Sequence, residues 1–181
     1  MRKLRDAGKL GPGRTVAVTG IGGLGSYAIQ YAKLLGGGAT VVAFARKDSK
    51  LNVAKENGAN HGINVKDKST EAIQDELERL TGRRTVHAIL DCVGSEASIS
   101  MGFDLLGPEG ALAAVGLMSQ RVEHRQFPFV GTELTYLGFL LGQPPGPRRS
   151  PLARRSRPRQ TQRHQSQTGG HQREPGRPGP G

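Results

Sequence analysis

Short apolar runs of strand length alternate with longer stretches of helical period up to about residue 142, where the alternation stops. Thr15–Thr19 (TVAVT) is apolar on both alternating faces and flanked by glycine, which predicts a buried strand. The helix that follows is predicted over Leu24–Leu35, with Leu24, Ala28, Tyr31, Ala32 and Leu35 on one face. Gly36-Gly37-Gly38 ends it with residues free to adopt left-handed backbone. Thr40–Phe44 is the second strand. Ser49–Asn57 is the second helix, with Asp48 or Ser49 as its cap and Gly58 after it.

The same alternation continues with a third strand at His61–Asn64 and an acidic helix at Ser69–Thr81, whose Ile73, Leu77 and Leu80 face inward. Val86–Asp91 is the fourth strand and Ser95–Leu106 the next helix, stopped by Gly107-Pro108. Ala111–Val115 is the fifth strand, entered through a Pro-Glu-Gly turn, and Leu134–Leu141 a sixth and apolar one. Strands and helices in this order predict an α/β fold: a doubly wound parallel sheet of about six strands, helices on both faces, right-handed crossovers.

Composition divides the chain at the same point. Residues 1–142 hold 17 Lys/Arg against 14 Asp/Glu, a net of +3; residues 143–181 hold nine Arg against the single acid Glu174, a net of +8. All eight aromatic residues precede Gly142, and eight of eleven prolines follow it. Leu152 and Ala153 are the only aliphatic side chains of the last segment, so residues 143–181 are expected to be a disordered Arg/Pro/Gly-rich tail beside a domain over 1–142. The abrupt change favours a frameshift in GC-rich DNA over a genuine basic tail. The basic charge resides mostly in that tail, which lacks aromatics for base stacking, so a nucleic-acid partner is not expected. No apolar run is long enough for a membrane helix, and no secretory signal is evident. Cys92 is the sole cysteine, so neither a disulfide framework nor a CxxC zinc site can form, and a reducing, cytoplasmic setting is expected.

The candidate chemistry begins where the first strand ends. Gly20, Gly22 and Gly25 form G-x-G-x-x-G between a strand and a helix, the context that gives this pattern its meaning. Gly20 allows the tight turn, Gly22 leaves room for a pyrophosphate, and Gly25 lets helix and strand pack closely. About 20 residues on, an acid would hold the adenosine ribose. That position is Ala45, followed at once by Arg46, which suits a 2′-phosphate and favours NADP over NAD. Asp48 is an alternative ribose partner, though a helix cap is its more ordinary use. His61, His87 and His124 are isolated, and His87 reads as a satisfied or edge histidine rather than a ligand.

Gly20-Ile21-Gly22-Gly23-Leu24-Gly25, Ala28-x-Gln30-x-Ala32-Lys33 and Ala54-Lys55-Glu56-x-Gly58-Ala59-x-His61-x-Ile63-Asn64 resemble the medium-chain, zinc-dependent alcohol dehydrogenases. Asp91-Cys92-Val93-Gly94, Gly107-x-x-Gly110 and Val115-Gly116-Leu117 fit the same family, from about Leu10 to Gly142. The resemblance covers only a cofactor-binding domain. It implies that Gly20, Gly22, Gly23, Leu24 and Gly25 form the pyrophosphate turn, with Leu24 packed beneath it. It further implies that Lys50, beside Ala45 and Arg46, helps hold the adenosine ribose, that Val93 touches the adenosine or nicotinamide side of the cofactor, and that Val115 and Leu117 flank the nicotinamide. Main-chain groups near Val115–Leu117 and Phe139–Leu141 would hold its carboxamide. Members pair their last strands across a two-fold axis, which implies a homodimer through Leu134–Leu141.

The family's barrel-like catalytic domain, with its zinc ligands and proton relay, has no counterpart in these residues. In members, zinc polarises the alcohol oxygen and hydride passes to the nicotinamide. The resemblance therefore implies no catalytic residue and no metal ligand here, zinc only in the absent domain, and a chain that binds cofactor without turning over alcohol. Two other readings stay open: a zinc-free relative like the quinone reductases, and a nucleotide-binding module whose basic tail holds nucleic acid.

Overall fold

The computed structural model describes residues 1–123 and 125–139; His124 and residues 140–181, which include Leu140, Leu141 and the basic tail, lie outside the described residues. The elements are α1 (Arg2–Asp6), β1 (Thr15–Thr19), α2 (Gly23–Gly36), β2 (Thr40–Ala45), α3 (Asp48–Glu56) and β3 (His61–Asn64), then α4 (Thr70–Thr81), β4 (Val86–Asp91), α5 (Glu96–Leu105), β5 (Leu106–Ala114), α6 (Gln126–Gly131) and β6 (Thr135–Gly138). The strands form one sheet in the order β3-β2-β1-β4-β5-β6, and every neighbouring pair is parallel.

Alternating strand side chains build two cores, one on each face. Val16 and Val18 of β1, Val41 and Ala43 of β2 and Ala88 and Leu90 of β4 meet Ala28, Ile29 and Ala32 of α2 and Leu51 and Ala54 of α3. The intervening residues Ala17, Val42, Phe44, Ile89 and Leu112 meet Ile73 and Leu77 of α4 and Ile99 and Leu105 of α5. Right-handed crossovers explain the division, because the chain steps one way from β1 to β3 and the other way from β4 onward. The reversal opens a crevice between the carboxyl ends of β1 and β4, the place where ligands bind in such sheets.

Several boundaries differ from the sequence expectation, each for a physical reason. Tyr31 and Leu24 were expected inward on α2 but are 52% and 44% exposed; Gly25, Ala28, Ile29, Ala32 and Gly36 make the buried face. Small residues win that face because the helix lies close against β1. Neither Asp48 nor Ser49 caps α3: Lys47 holds the cap position without a side-chain bond, and Asp48 Oδ1 instead accepts from Asn64 Nδ2 at 2.7 Å. The fifth strand begins at Leu106 rather than Ala111. Gly107–Gly110 is an irregularity inside the strand, with Glu109 at φ 57° and a register shift against β4. Helices α1 and α6 are too short for a sequence period to reveal. Pro128 is tolerated in α6 because it lies in the first turn, where its missing N–H has no helical acceptor. The sixth strand is described over Thr135–Gly138, at the sheet edge, and its expected extension to Leu141 lies outside the described residues.

His87 is satisfied rather than free: its Nδ1 accepts the N–H of Thr15 at 2.9 Å, joining β4 to β1. Burial, then the nearby Arg83 and Arg14, push its pKa below the usual 6.5. The neutral ring is the form that accepts, so its stabilisation is complete above about pH 6.5 and is lost as pH falls through the lowered native value, because the unfolded chain takes up the proton first. Chemical denaturation between pH 7 and 5 is expected to show this loss, and His87→Asn, which keeps an acceptor that does not titrate, should reduce it. An identical pH slope in the two proteins would count against the assignment.

Candidate functional site

Leaving β1, the chain turns at Gly20, which has φ 85° and whose N–H donates to Phe44 O at 3.2 Å. The Gly20 α-carbon faces the Val93 side chain so closely that an added Cβ would lie 2.5 Å from Val93 Cγ2. Gly25 packs against the turn itself; a Cβ there would overlap the Gly20 carbonyl. Gly22 and Gly23 are different, since a Cβ on either would meet nothing within 4 Å. Both face open space at the start of α2. The first helical acceptor is Gly22 O, which takes the Ser26 N–H at 3.0 Å, so the N–H groups of Gly23, Leu24 and Gly25 precede the intrahelical ladder. Aligned peptide dipoles make this end of α2 positive. A glycine cradle with unfilled space above donor groups fits an anionic pyrophosphate.

Beyond the turn, α2 and the ends of the neighbouring strands enclose an apolar cleft of about 380 Å³ lined by Leu24, Tyr27, Tyr31, Cys92, Val115 and Phe139, among others. A second cleft of about 380 Å³ lies by Gly94, Gly116, Leu117, Tyr136 and Phe139. Val93 and Val115 are half-buried and Leu117 is 85% exposed. Phe139 continues the β6 ladder by donating its N–H to Ala114 O at 3.1 Å. Leu141 lies outside the described residues. Burial first, then the charge of Asp91, push the Cys92 thiol up to about 11, so it stays protonated and behaves as a small apolar group. Among the described residues no three His, Cys, Asp or Glu side chains come together in a way that could hold a metal.

At the end of β2, Ala45 is buried while Arg46, Lys47 and Lys50 are exposed. No carboxylate among the described residues forms an ion pair with these three cations. The one acid beside them, Asp48, is engaged by Asn64. The structure thus brings the glycine turn, Val93, Val115 and Phe139 to the carboxyl end of the sheet, with the Arg46–Lys50 cations at the end of β2.

Sequence reasoning passed over the group that organises the far side of this site. Asp91 is fully buried at the end of β4. Its Oδ1 accepts the N–H groups of Val93 at 2.7 Å and Gly94 at 3.2 Å, and its Oδ2 accepts the Ser98 hydroxyl at 2.7 Å. Its main-chain oxygen accepts from Val115 at 2.8 Å and Gly116 at 3.1 Å. Gly94 and Gly116 touch backbone to backbone: a Cβ on Gly94 would overlap the Gly116 carbonyl, and one on Gly116 would overlap the Val93 carbonyl. The signal available was an acid closing the apolar run Ala88–Leu90 of β4, and a glycine soon after each of β4 and β5.

A parallel sheet in the order 3-2-1-4-5-6, with a glycine turn at its switch point, defines the doubly wound, Rossmann-type class of α/β fold. The zinc-binding dehydrogenase family matches residues 23–154, and the chain belongs to that family. It is 32% identical over 142 residues to an NAD-dependent alcohol dehydrogenase of Sulfurisphaera tokodaii, covering 78% of this chain and 40% of that protein. To the sorbitol dehydrogenase of Bacillus subtilis it is 32% identical over 122 residues, 67% of this chain and 33% of the relative. The crystal structure of the alcohol dehydrogenase from Aeropyrum pernix superposes with a TM-score of 0.67 at 33% identity, covering 76% of this chain and 38% of that one. The chain therefore spans only 33% to 40% of the length of these relatives. No helix among the described residues is long and apolar enough to cross a membrane.

Proposed function

We propose that this chain is the nicotinamide-cofactor-binding part of a zinc-type alcohol or polyol dehydrogenase, which moves hydride between an alcohol carbon and NAD(P). The observation that carries the reading is the open cradle above Gly22 and Gly23 at the amino end of α2. Gly20, Gly22, Gly23, Leu24 and Gly25 receive the pyrophosphate, and the dipole of α2 offsets its charge. Val93, Val115, Leu117 and Phe139 border the nicotinamide side. The cofactor supplies the hydride chemistry; this chain's residues bind it, orient it and keep its surroundings apolar. Zinc and the substrate alcohol belong to a catalytic part with no ligand set among the described residues. The full chain is expected to bind NADPH or NADH, read by the reduced nicotinamide's fluorescence, and to oxidise no alcohol with or without added zinc. Absence of binding would overturn the cofactor assignment, and turnover would overturn the division of labour.

For the adenosine end we infer a preference for NADP. Arg46 and Lys50 carry free positive charge, and Asp48, the alternative ribose partner, is occupied by Asn64. A guanidinium suits a phosphate better than two hydroxyls. Arg46→Ala is expected to weaken NADP about tenfold more than NAD. Equal losses, or tighter NAD binding by the unaltered chain, would reverse the assignment. The NAD dependence of the Sulfurisphaera tokodaii relative makes this comparison a necessary one.

We further infer a homodimer through β6. It is an edge strand with one side unpaired among the described strands; its own Tyr136 is 45% exposed, and Phe127 and Val130 of the preceding helix α6 are 87% and 62% exposed. Such an edge invites a second copy. Light scattering should report twice the chain mass, and a monomer would refute the pairing.

A further inference from the structure

We propose that Asp91 is a positioning residue for the nicotinamide half of the cofactor. This role rests on the cofactor reading above but adds to it a group that does not touch the ligand. The carboxylate is fully buried, and among the described residues it forms no ion pair. Burying an ionised group is costly unless hydrogen bonds replace its water. Asp91 obtains three: from the N–H groups of Val93 and Gly94 on one oxygen, and from the Ser98 hydroxyl on the other. Ser98 lies in the first turn of the ten-residue helix α5, whose positive end also favours the carboxylate.

Those bonds fix more than the turn that makes them. Val93 and Gly94, once held, offer their carbonyls outward: Val93 O accepts from Met118 N at 3.3 Å and Gly94 O from Ser119 N at 2.8 Å. The Asp91 carbonyl takes the N–H groups of Val115 and Gly116, and Ser119 Oγ in turn accepts from Glu96 N at 3.1 Å. The Gly94–Gly116 approach leaves no room for either loop to shift independently. One residue thereby relates the heights of Val93, Val115 and Leu117: its side chain holds the Val93–Gly94 loop, its main-chain oxygen holds Val115 and Gly116, and the Gly94–Gly116 approach couples the two loops. The Val93 side chain leans on Gly20, so the setting is referred to the phosphate turn. The adenosine end, at β2, is outside this network: none of its bonds reaches Ala45, Arg46 or Lys50.

This division makes the role testable apart from general stability. The full chain and its Asp91→Ala, Asp91→Asn and Ser98→Ala variants are titrated with NADPH and with adenosine 2′,5′-bisphosphate, which carries only the adenosine half. Asp91→Ala is expected to weaken NADPH about tenfold more than the bisphosphate, because two loop N–H groups lose a charged acceptor. Asp91→Asn keeps an oxygen for Val93 and Gly94 and should recover most of that loss. Ser98→Ala, which spares the loop bonds and carries the test if Asp91→Ala does not fold, should give a ratio change of about threefold. An unchanged ratio in the folded variants overturns the positioning role while leaving the cofactor reading intact. An unaltered chain that binds neither ligand overturns both.

Discussion

Gly22→Val is expected to abolish NAD(P) binding, by at least ~100-fold, while leaving the thermal transition where it is. Both halves of this expectation come from one geometric fact. A Cβ on Gly22 meets no protein atom within 4 Å, and its backbone, at φ −109° and ψ −156°, is extended and open to any residue. The fold therefore has no use for the missing side chain. The space it leaves lies at the amino end of α2, where the proposed pyrophosphate would approach the Gly23 and Leu24 N–H groups. A valine there would hold the phosphates off the donors, and charge-assisted bonds weaken steeply with distance. Titration with NADPH beside a melting curve checks both parts. Retained binding would remove the cradle from the site, and a large fall in melting temperature would show that Gly22 serves the fold.

Gly116→Ala is expected to do the opposite, destabilising the chain by about 3 kcal/mol. Here the absent side chain is one the fold cannot accept. A Cβ on Gly116 would run into the Val93 carbonyl group and the Gly94 N, all main-chain atoms that no rotamer change can move. The loops after β4 and β5 would have to separate, stretching the bonds from Met118 and Ser119 to Val93 and Gly94. Denaturant titration measures the cost. A melting profile equal to the unaltered chain would mean that the loops part without loss, and that they do not act as one body.

These two glycines look alike as letters, and their difference shows how far the residues could be read. The Gly20–Gly25 turn was legible because a strand, three glycines at fixed spacing and an apolar helix follow in order, so local chemistry and chain order suffice. The strands Thr15–Thr19 and Val86–Asp91 have the same limits in sequence and structure, since each is a short, largely apolar or β-branched run bounded by turn formers; His61–Asn64 also keeps its limits, though Ile63 is its one buried apolar residue. Gly94 and Gly116 carried no such message. Their constraint comes from each other, across 22 residues of chain, and contact between two loops leaves no period behind.

Local pattern alone determined the alternation of elements, the two buried faces of the sheet and the position of the glycine turn after β1, because each depends on the 2.0 or 3.6 residue period and on glycine's missing side chain. Tertiary structure alone decided which small residues of α2 face β1, that Asp48 serves a neighbouring strand rather than a helix cap, and that Asp91 binds two loops together. These depend on distances between residues far apart in the chain, where burial and the need to satisfy each polar group select among side chains that the local pattern treats as equivalent.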